Sequence, residues 1–511
     1  MQNNIIRIIP KLDIKGPNLV KGVHLEGLRV LGKPEDFAFK YYQDGADELI
    51  YIDLVASLYG RSNLLDIVKK TAQKISIPLT VGGGVRSVDD MQKLLRAGAD
   101  KIAINTALFE TPELITEGAH KFGSQCMVLY IEAKKINGKY YCLHTNAREN
   151  SEREVFEWAA EMVERGAGEI LITSVDQEGT ARGMDLELIE QLNASVPVPV
   201  IANGGAGTPE HMAEAAKAMG SGAICSASIF HYNRLEQLKD KADFEQEGNT
   251  SYIELSRSRT TGYMEDKIAP AQVDEVKKEL ETLGVRCRDG KRTADEIQPL
   301  EKAPQTVVVD YGMGNLFSLC RALENLGVEP IISNDLDLIT NAEKVILPGV
   351  GAMKDAMKSL NESGIDNALR KRAENEKDIL GICLGMQALM STNYEFGTHE
   401  CLGLIPGTVE LMIDENDVDR AKLPHMGWNS VQKTAAAADS ALDTFVDNSN
   451  AYFVHSYVAK PENNEHILGF TEYAGHKFCS VVGNKNTMGC QFHPELSGYD
   501  GVMILKRFLE K

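Results

Sequence analysis

The sequence predicts an α/β chain of two domains, a (β/α)₈ barrel followed by a second α/β domain built around a cysteine at a strand-to-helix turn. Three observations predict this. Eight short β-branched runs alternate with amphipathic helical stretches over residues 1–235. A set of motifs inside that span recurs at one fixed spacing. Much later, Gly381-Ile-Cys383-Leu-Gly385 is answered by His493-Pro-Glu495.

The eight runs are Ile5–Ile9, Glu48–Ile52, Leu79–Val81, Lys101–Ile104, Met127–Ile131, Glu169–Thr173, Val198–Ala202 and Ala223–Cys225. Runs of this kind separated by helices read as strands of a parallel sheet. A doubly wound open sheet alternates in the same way, so the choice of a barrel rests on the count of eight and on the repeat.

The repeat relates the two halves of the barrel. Pro78-Leu-Thr-Val-Gly-Gly-Gly84 resembles Pro199-Val-Ile-Ala-Asn-Gly-Gly205, and Asn105-Thr-Ala-Leu-Phe109 resembles Ser226-Ala-Ser-Ile-Phe230. Gly205 follows Gly84 by 121 residues, as Ser226 follows Asn105 and Glu169 follows Glu48. A period of half the domain fits a barrel of two four-stranded halves with two equivalent polar sites at its mouth. Gly83, Gly84, Gly204 and Gly205 end strands and open helices, where backbone N–H groups favour an anion. Asn105, Thr106, Ser226 and Ala227 stand at the next strand ends and add donors. Two such cradles suggest a ligand with a phosphate at each end.

Arg7, Glu48, Lys101 and Glu169 lie at the starts of strands one, two, four and six. Their alternating signs fit either a salt-bridged gate or a structural cluster at the bottom face. A polar, apolar-poor insertion follows near residues 239–266, and then a helix over Gln272–Leu283 that completes a barrel spanning 1–287. Residues 288–304, rich in charge and proline, read as a solvated linker. The last barrel helix runs back down, so the linker is expected to leave at the N-terminal face.

The second domain covers 305–511. The run Lys377-Asp-Ile-Leu380 leads into Gly381-Ile-Cys383-Leu-Gly385-Met-Gln387. A lone cysteine is more often core than nucleophile. Here the flanking glycines and the distant His493-Pro-Glu495 turn that around, because they are the parts of a nucleophile elbow. Cys383 is expected to attack, His493 to move the proton, and Glu495 to hold the imidazole.

Composition excludes other classes. A net charge of −20 over 511 residues argues against nucleic acid as the main partner. The nine cysteines are scattered, with no C-x-x-C pair to suggest zinc, and a working Cys383 must stay reduced. No apolar stretch has the length of a signal segment or membrane span. A cytoplasmic protein without metal or cofactor is expected.

Residues 305–511 resemble the class I (triad) glutamine amidotransferases, and more closely the glutaminase subunit of the imidazole glycerol phosphate synthase family. The likeness is carried by Asp310-Tyr-Gly-Met-Gly-Asn315, Leu347-Pro-Gly-Val-Gly351, Pro424-His-Met-Gly-Trp-Asn429 and Tyr452-Phe-Val-His-Ser-Tyr457, besides the triad. It implies hydrolysis of L-glutamine to glutamate and ammonia. It also implies an oxyanion site at Gly349 and Val350 and glutamine contacts at Gln387, Glu395, His455 and Ser456.

Residues 5–235 resemble the cyclase subunit of the same family, through Ile8-Ile-Pro-Lys-Leu-Asp13, Val20-Lys21-Gly22, Leu79-Thr-Val-Gly-Gly-Gly84 and Leu171-Ile-Thr-Ser174. That resemblance implies a bisphosphorylated ribulosyl-formimino substrate, PRFAR. Ammonia reaching it through the gated barrel would give imidazole glycerol phosphate and AICAR, in histidine biosynthesis. Asp13 and Glu132 would be the acid–base pair, and Lys21 would join the phosphate sites. Three positions depart from the family pattern: Glu132 stands for Asp, Lys11 for a small cysteine, and Thr145-Asn146-Ala147 for a glycine-rich stretch. The alternative is a paralogue whose barrel no longer cyclises and which supplies ammonia to a separate sugar amidotransferase for surface polysaccharide. A regulatory scaffold without activity is disfavoured by the intact triad.

Overall fold

The computed structural model describes residues 4–55, 64–238, 267–290, 293–312, 316–413 and 422–511. The expected insertion near 239–266 and residues 313–315 of the first glutaminase motif lie outside them. The chain divides into two compact units, one of residues 1–117 and 127–291 and the other of residues 118–126 and 292–511.

In the first unit eight parallel strands close on themselves. They are β1 (Arg7–Lys15), β4 (Leu49–Asp53), β5 (Leu79–Gly82), β6 (Lys101–Ile104), β7 (Met127–Ile136), β10 (Glu169–Ser174), β11 (Val200–Asn203) and β12 (Ala223–Ser226). Each pairs in parallel with the next, β7 passing to β10 and β12 returning to β1. Burial on both faces explains the unbroken apolar runs: Ile9, Ile50, Val128, Leu171 and Ile201 fill the interior while helices cover the outside.

Four more strands were not foreseen. β2 (Asn18–Val23) and β3 (Glu26–Gly32) form a hairpin on the end of β1, and β8 (Lys139–His144) and β9 (Glu149–Glu154) form one on the end of β7. Both barrel strands therefore run past the rim, which is why β1 and β7 are 9 and 10 residues long against 4 in β5 and β6.

The last helix is Val273–Thr282, with Gln272 as its cap in a reciprocal pair with Glu275. The segment expected as a solvated linker is anchored at both ends. Arg288 is buried against Asp47 at 2.7 Å, beside the Lys277 ammonium at 2.6 Å from the same carboxylate. Ala294 and Ile297 are buried in the core of the second unit. Buried charges of this kind are held by opposite charge and by carbonyls, here Gly45 and Ala46.

The second unit has a central parallel sheet in the order β14 (Ile331–Ser333), β13 (Thr306–Val309), β15 (Lys344–Leu347), β16 (Ile379–Ile382) and then the strand Thr487–Cys490. Antiparallel strands continue it beyond Thr487–Cys490. Separate apolar clusters cover its two faces, one around Leu323, Phe492 and Leu505 and one around Leu360, Leu369 and Met386.

Candidate active sites

β16 and Thr487–Cys490 are neighbours, with Ile382 opposite Cys490. Cys383 leaves the end of one and His493 follows the end of the other, so two residues 110 apart in the chain meet at the carboxyl edge of the sheet. The Cys383 N–H donates to Cys490 O at 2.8 Å, which fixes the turn. Cys383 itself holds φ 54° and ψ −110°, a backbone conformation that costs a non-glycine residue on the order of 1–3 kcal/mol. The flanking glycines are required by packing. A Cβ on Gly385 would lie 1.9 Å from Leu347 O, and one on Gly381 would lie 2.7 Å from Gly385 O. The helix Leu384–Ala388 thus sits directly on β15.

His493 Nδ1 lies 2.8 Å from Glu495 Oε1. Its Nε2 has no hydrogen-bond partner among the described residues, and the sulfur of Cys383 is close enough to act on the ring electrostatically. Burial works against the imidazolium, but Glu495 and the Cys383 side chain outweigh it and raise the imidazole pKa well above its ordinary value. An imidazole oriented at one nitrogen and open at the other beside a thiol is equipped for nucleophilic catalysis.

The expected oxyanion donors are not assembled. The Gly349 carbonyl accepts from the Leu384 N–H at 3.3 Å, so this peptide turns an acceptor toward the elbow and occupies one of its donors. Of the four residues the resemblance gives to glutamine, Gln387 has its amide nitrogen engaged by Tyr457 O and Gln491 Oε1, each at 3.1 Å. Glu395 accepts from the Met353 N–H at 2.7 Å, and burial raises its pKa. His455 Nδ1 lies 2.9 Å from Tyr457 O, and burial lowers its pKa to about 4. Ser456 accepts the Met412 N–H through its carbonyl.

In the barrel, Asp13 and Glu132 stand where β1 and β7 pass from the closed sheet into their hairpins. Asp13 pairs with Ile52 on one side and Val20 on the other, and Glu132 with Thr173 and Leu143. Both are 2 % exposed. Glu132 accepts from the Ala147 N–H at 2.8 Å and from Tyr130 at 3.2 Å, yet burial outweighs these bonds and pushes its pKa up to about 7. Thr145, Asn146 and Ala147 all have positive φ, and this left-handed turn is what aims the Ala147 N–H. Sequence reasoning noted Lys11 only as a departure. Its ammonium is fully buried at 2.5 Å from Asp13 Oδ1.

The two glycine cradles differ. Gly83, Gly84, Gly204 and Gly205 all adopt positive φ, and a Cβ on Gly205 would come within 2.0 Å of Gly183 O. Around Gly204 and Gly205 there is a small cleft open to solvent, lined also by Lys21, Asn203, Ser226 and Ala227. Lys21 is paired there with Glu178, a buried acid the sequence reading missed. On the other side, Thr106 Oγ1 accepts from the Thr145 N–H at 3.2 Å and Asn105 Nδ2 donates to Leu143 O at 3.5 Å, so the loop after β8 closes on that cradle.

At the opposite rim, Arg7 bridges Glu48 at 2.9 Å and Glu169 at 2.5 Å, and Lys101 bridges the same two acids at 2.5 and 2.6 Å. The four charges form a closed, alternating, buried ring.

A closed eight-stranded barrel joined in one chain to a Cys-His-Glu elbow defines a glutamine amidotransferase domain fused to a (β/α)₈ barrel. Comparison with known proteins agrees. Residues 7–236 match the family described as "Histidine biosynthesis protein", and residues 307–511 match "Glutamine amidotransferase class-I". The barrel is similar to imidazole glycerol phosphate synthase subunit HisF of Legionella pneumophila, 59% identical over 206 residues, which is 40% of this chain and 97% of that protein. It is also similar to the HisF subunits of Bacillus cereus (strain G9842), 48% identical over 44% of this chain and 90% of that protein, and Campylobacter concisus (strain 13826), 47% identical over 46% and 93%. The chain belongs to the HisF family of histidine biosynthesis proteins and carries a class-I glutamine amidotransferase domain in the same polypeptide. No helix among the described residues is long and apolar enough to cross a membrane.

Proposed function

We propose that this chain is a bifunctional enzyme of the imidazole glycerol phosphate synthase type. Cys383 attacks the side-chain amide of glutamine, His493 carries the proton to the leaving ammonia, and water later releases glutamate from the thioester. Opening of the Gly349 peptide frees the Leu384 N–H and turns the Val350 N–H to the oxyanion. Ammonia enters the barrel through the ring of Arg7, Glu48, Lys101 and Glu169. At the mouth it meets PRFAR, held by its two phosphates on the Gly83-Gly84 and Gly204-Gly205 cradles. Asp13 and Glu132 perform the acid–base steps that give imidazole glycerol phosphate and AICAR. The observation that carries this reading is the pair of buried carboxylates at the rim, one with a pKa near neutrality and therefore able to give and take a proton.

A second reading has one observation in its favour. The Lys11 ammonium already occupies Asp13, as expected of a barrel that conducts ammonia to a partner sugar amidotransferase without cyclising. Imidazole product formed from PRFAR and saturating ammonium decides between them. Turnover in the ordinary enzyme range supports the cyclase, and bound PRFAR without turnover supports the conduit.

A further inference from the structure

Besides His493, the Cys383 sulfur faces the Val454 carbonyl at 3.9 Å, which can only accept, and one amide. The Gln491 amide nitrogen lies 3.8 Å from Sγ, and Gln491 is fully buried. Which end of a buried amide faces a given atom follows from what surrounds it. Here the assignment starts at Tyr457 O, a backbone carbonyl that can only accept. Gln387 Nε2 lies 3.1 Å from that carbonyl and so must be the NH₂ end. Its other hydrogen then goes to Gln491 Oε1 at 3.1 Å, which leaves the Gln491 NH₂ facing sulfur.

The same carbonyl is fixed from its other side. His455 Nδ1 reaches it at 2.9 Å and must carry the hydrogen, so His455 Nε2 accepts from His425 Nδ1 at 3.2 Å. His425 Nε2 is then the acceptor facing the Asn429 amide at 3.5 Å. Burial keeps both imidazoles neutral, as this pattern requires. The two arms thus converge on the Tyr457 carbonyl, which accepts from both His455 and Gln387, and the Gln387 arm ends with the Gln491 donor on the nucleophile.

We propose that Gln491 is a positioning residue that donates a hydrogen bond to the Cys383 thiolate, held in that orientation by Gln387 and the Tyr457 carbonyl. This rests on the assignment of Cys383 as nucleophile. A donor at sulfur favours the charged form over the thiol and restrains its rotation. The titratable groups around the sulfur are His493, with Glu495 behind it, and Tyr311, whose hydroxyl donates to Pro348 O at 2.9 Å.

The test is alkylation of the full chain by iodoacetamide across pH, read at the Cys383 peptide by mass spectrometry. A small alkylating agent reports the thiolate without needing glutamine to bind. In Gln491→Met the midpoint of the acid limb should rise by about one pH unit, with an approximately tenfold slower reaction below it. Gln387→Met leaves Gln491 in place but removes its anchor, and should shift the midpoint the same way by less. Should Gln491→Met fail to fold by circular dichroism, the Gln387→Met shift decides alone. Unchanged midpoints overturn the proposal. A wild-type Cys383 that reacts no faster than the other eight cysteines would instead overturn its assignment as nucleophile.

Discussion

The elbow and the barrel mouth hold similar chemical parts in opposite states. At the elbow, His493 is fixed at one nitrogen and open at the other, and Cys383 has, besides His493, only distant neighbours at 3.8 and 3.9 Å. At the mouth, Asp13 is clamped by Lys11, Lys21 by Glu178, and Thr106 by the Thr145 loop. A site whose polar atoms are already satisfied must exchange those bonds when a ligand arrives, and only the difference between old and new contacts contributes to binding. The elbow keeps its reacting atoms uncommitted and stores the cost in the backbone of Cys383 instead. Only its oxyanion side, closed by Gly349, behaves like the mouth.

The sharpest way to separate the centres is Cys383→Ser. Glutamine hydrolysis should fall by at least about four orders of magnitude, while ammonium-dependent product formation by the barrel should persist. Loss of both activities would mean that the centres do not act independently. Glu495→Gln should cost roughly a hundredfold in hydrolysis, and its pH profile carries a sign. Glu495 raises the pKa of His493, so its neutralisation should move the alkaline limb to lower pH. An unmoved limb would remove Glu495 from its role.

Lys11→Met tests the clamp at the mouth. Removing one partner of a buried pair strands the other, and about 3 kcal/mol of barrel stability should be lost in urea unfolding. Gly385→Ala sets the corresponding test at the elbow, where overpacking against Leu347 should cost about 2 kcal/mol. Hydrogen exchange should quicken in peptides over 379–388 and stay unchanged in the barrel. The smallest effect is an inflection near pH 7 in the ammonium-dependent reaction, set by Glu132. It should shift in Glu132→Asp, and an inflection that stays in place belongs to another group.

Much of this was legible in the chain. Strand order and the glycine turns of the two cradles followed from periodicity and the 121-residue repeat, because a parallel strand buried on both faces is largely apolar and a left-handed turn favours glycine. The elbow was legible for the same reason: Gly381 and Gly385 mark where backbones touch. What could not be read were pairings set by side-chain reach, such as Lys11 with Asp13 along β1, Lys21 with Glu178 across the barrel and Gln491 with Cys383 in the second unit. The outer strand of one rim hairpin, Glu149–Glu154, was missed because it is too exposed to show an apolar pattern. One clue was available. Glu132 follows Asp13 by 119 residues where the cradles repeat at 121, so the carboxylates are related by the fold and only approximately by the repeat.

The backbone of Cys383 also sets what mutation can do there. At φ 54° and ψ −110° glycine is the residue that fits without strain, and any side chain costs the fold something. A chain with Cys383→Gly should therefore be catalytically dead yet slightly harder to unfold. At this one position, selection for activity and selection for a durable protein pull in opposite directions, and the cysteine records which of them has prevailed.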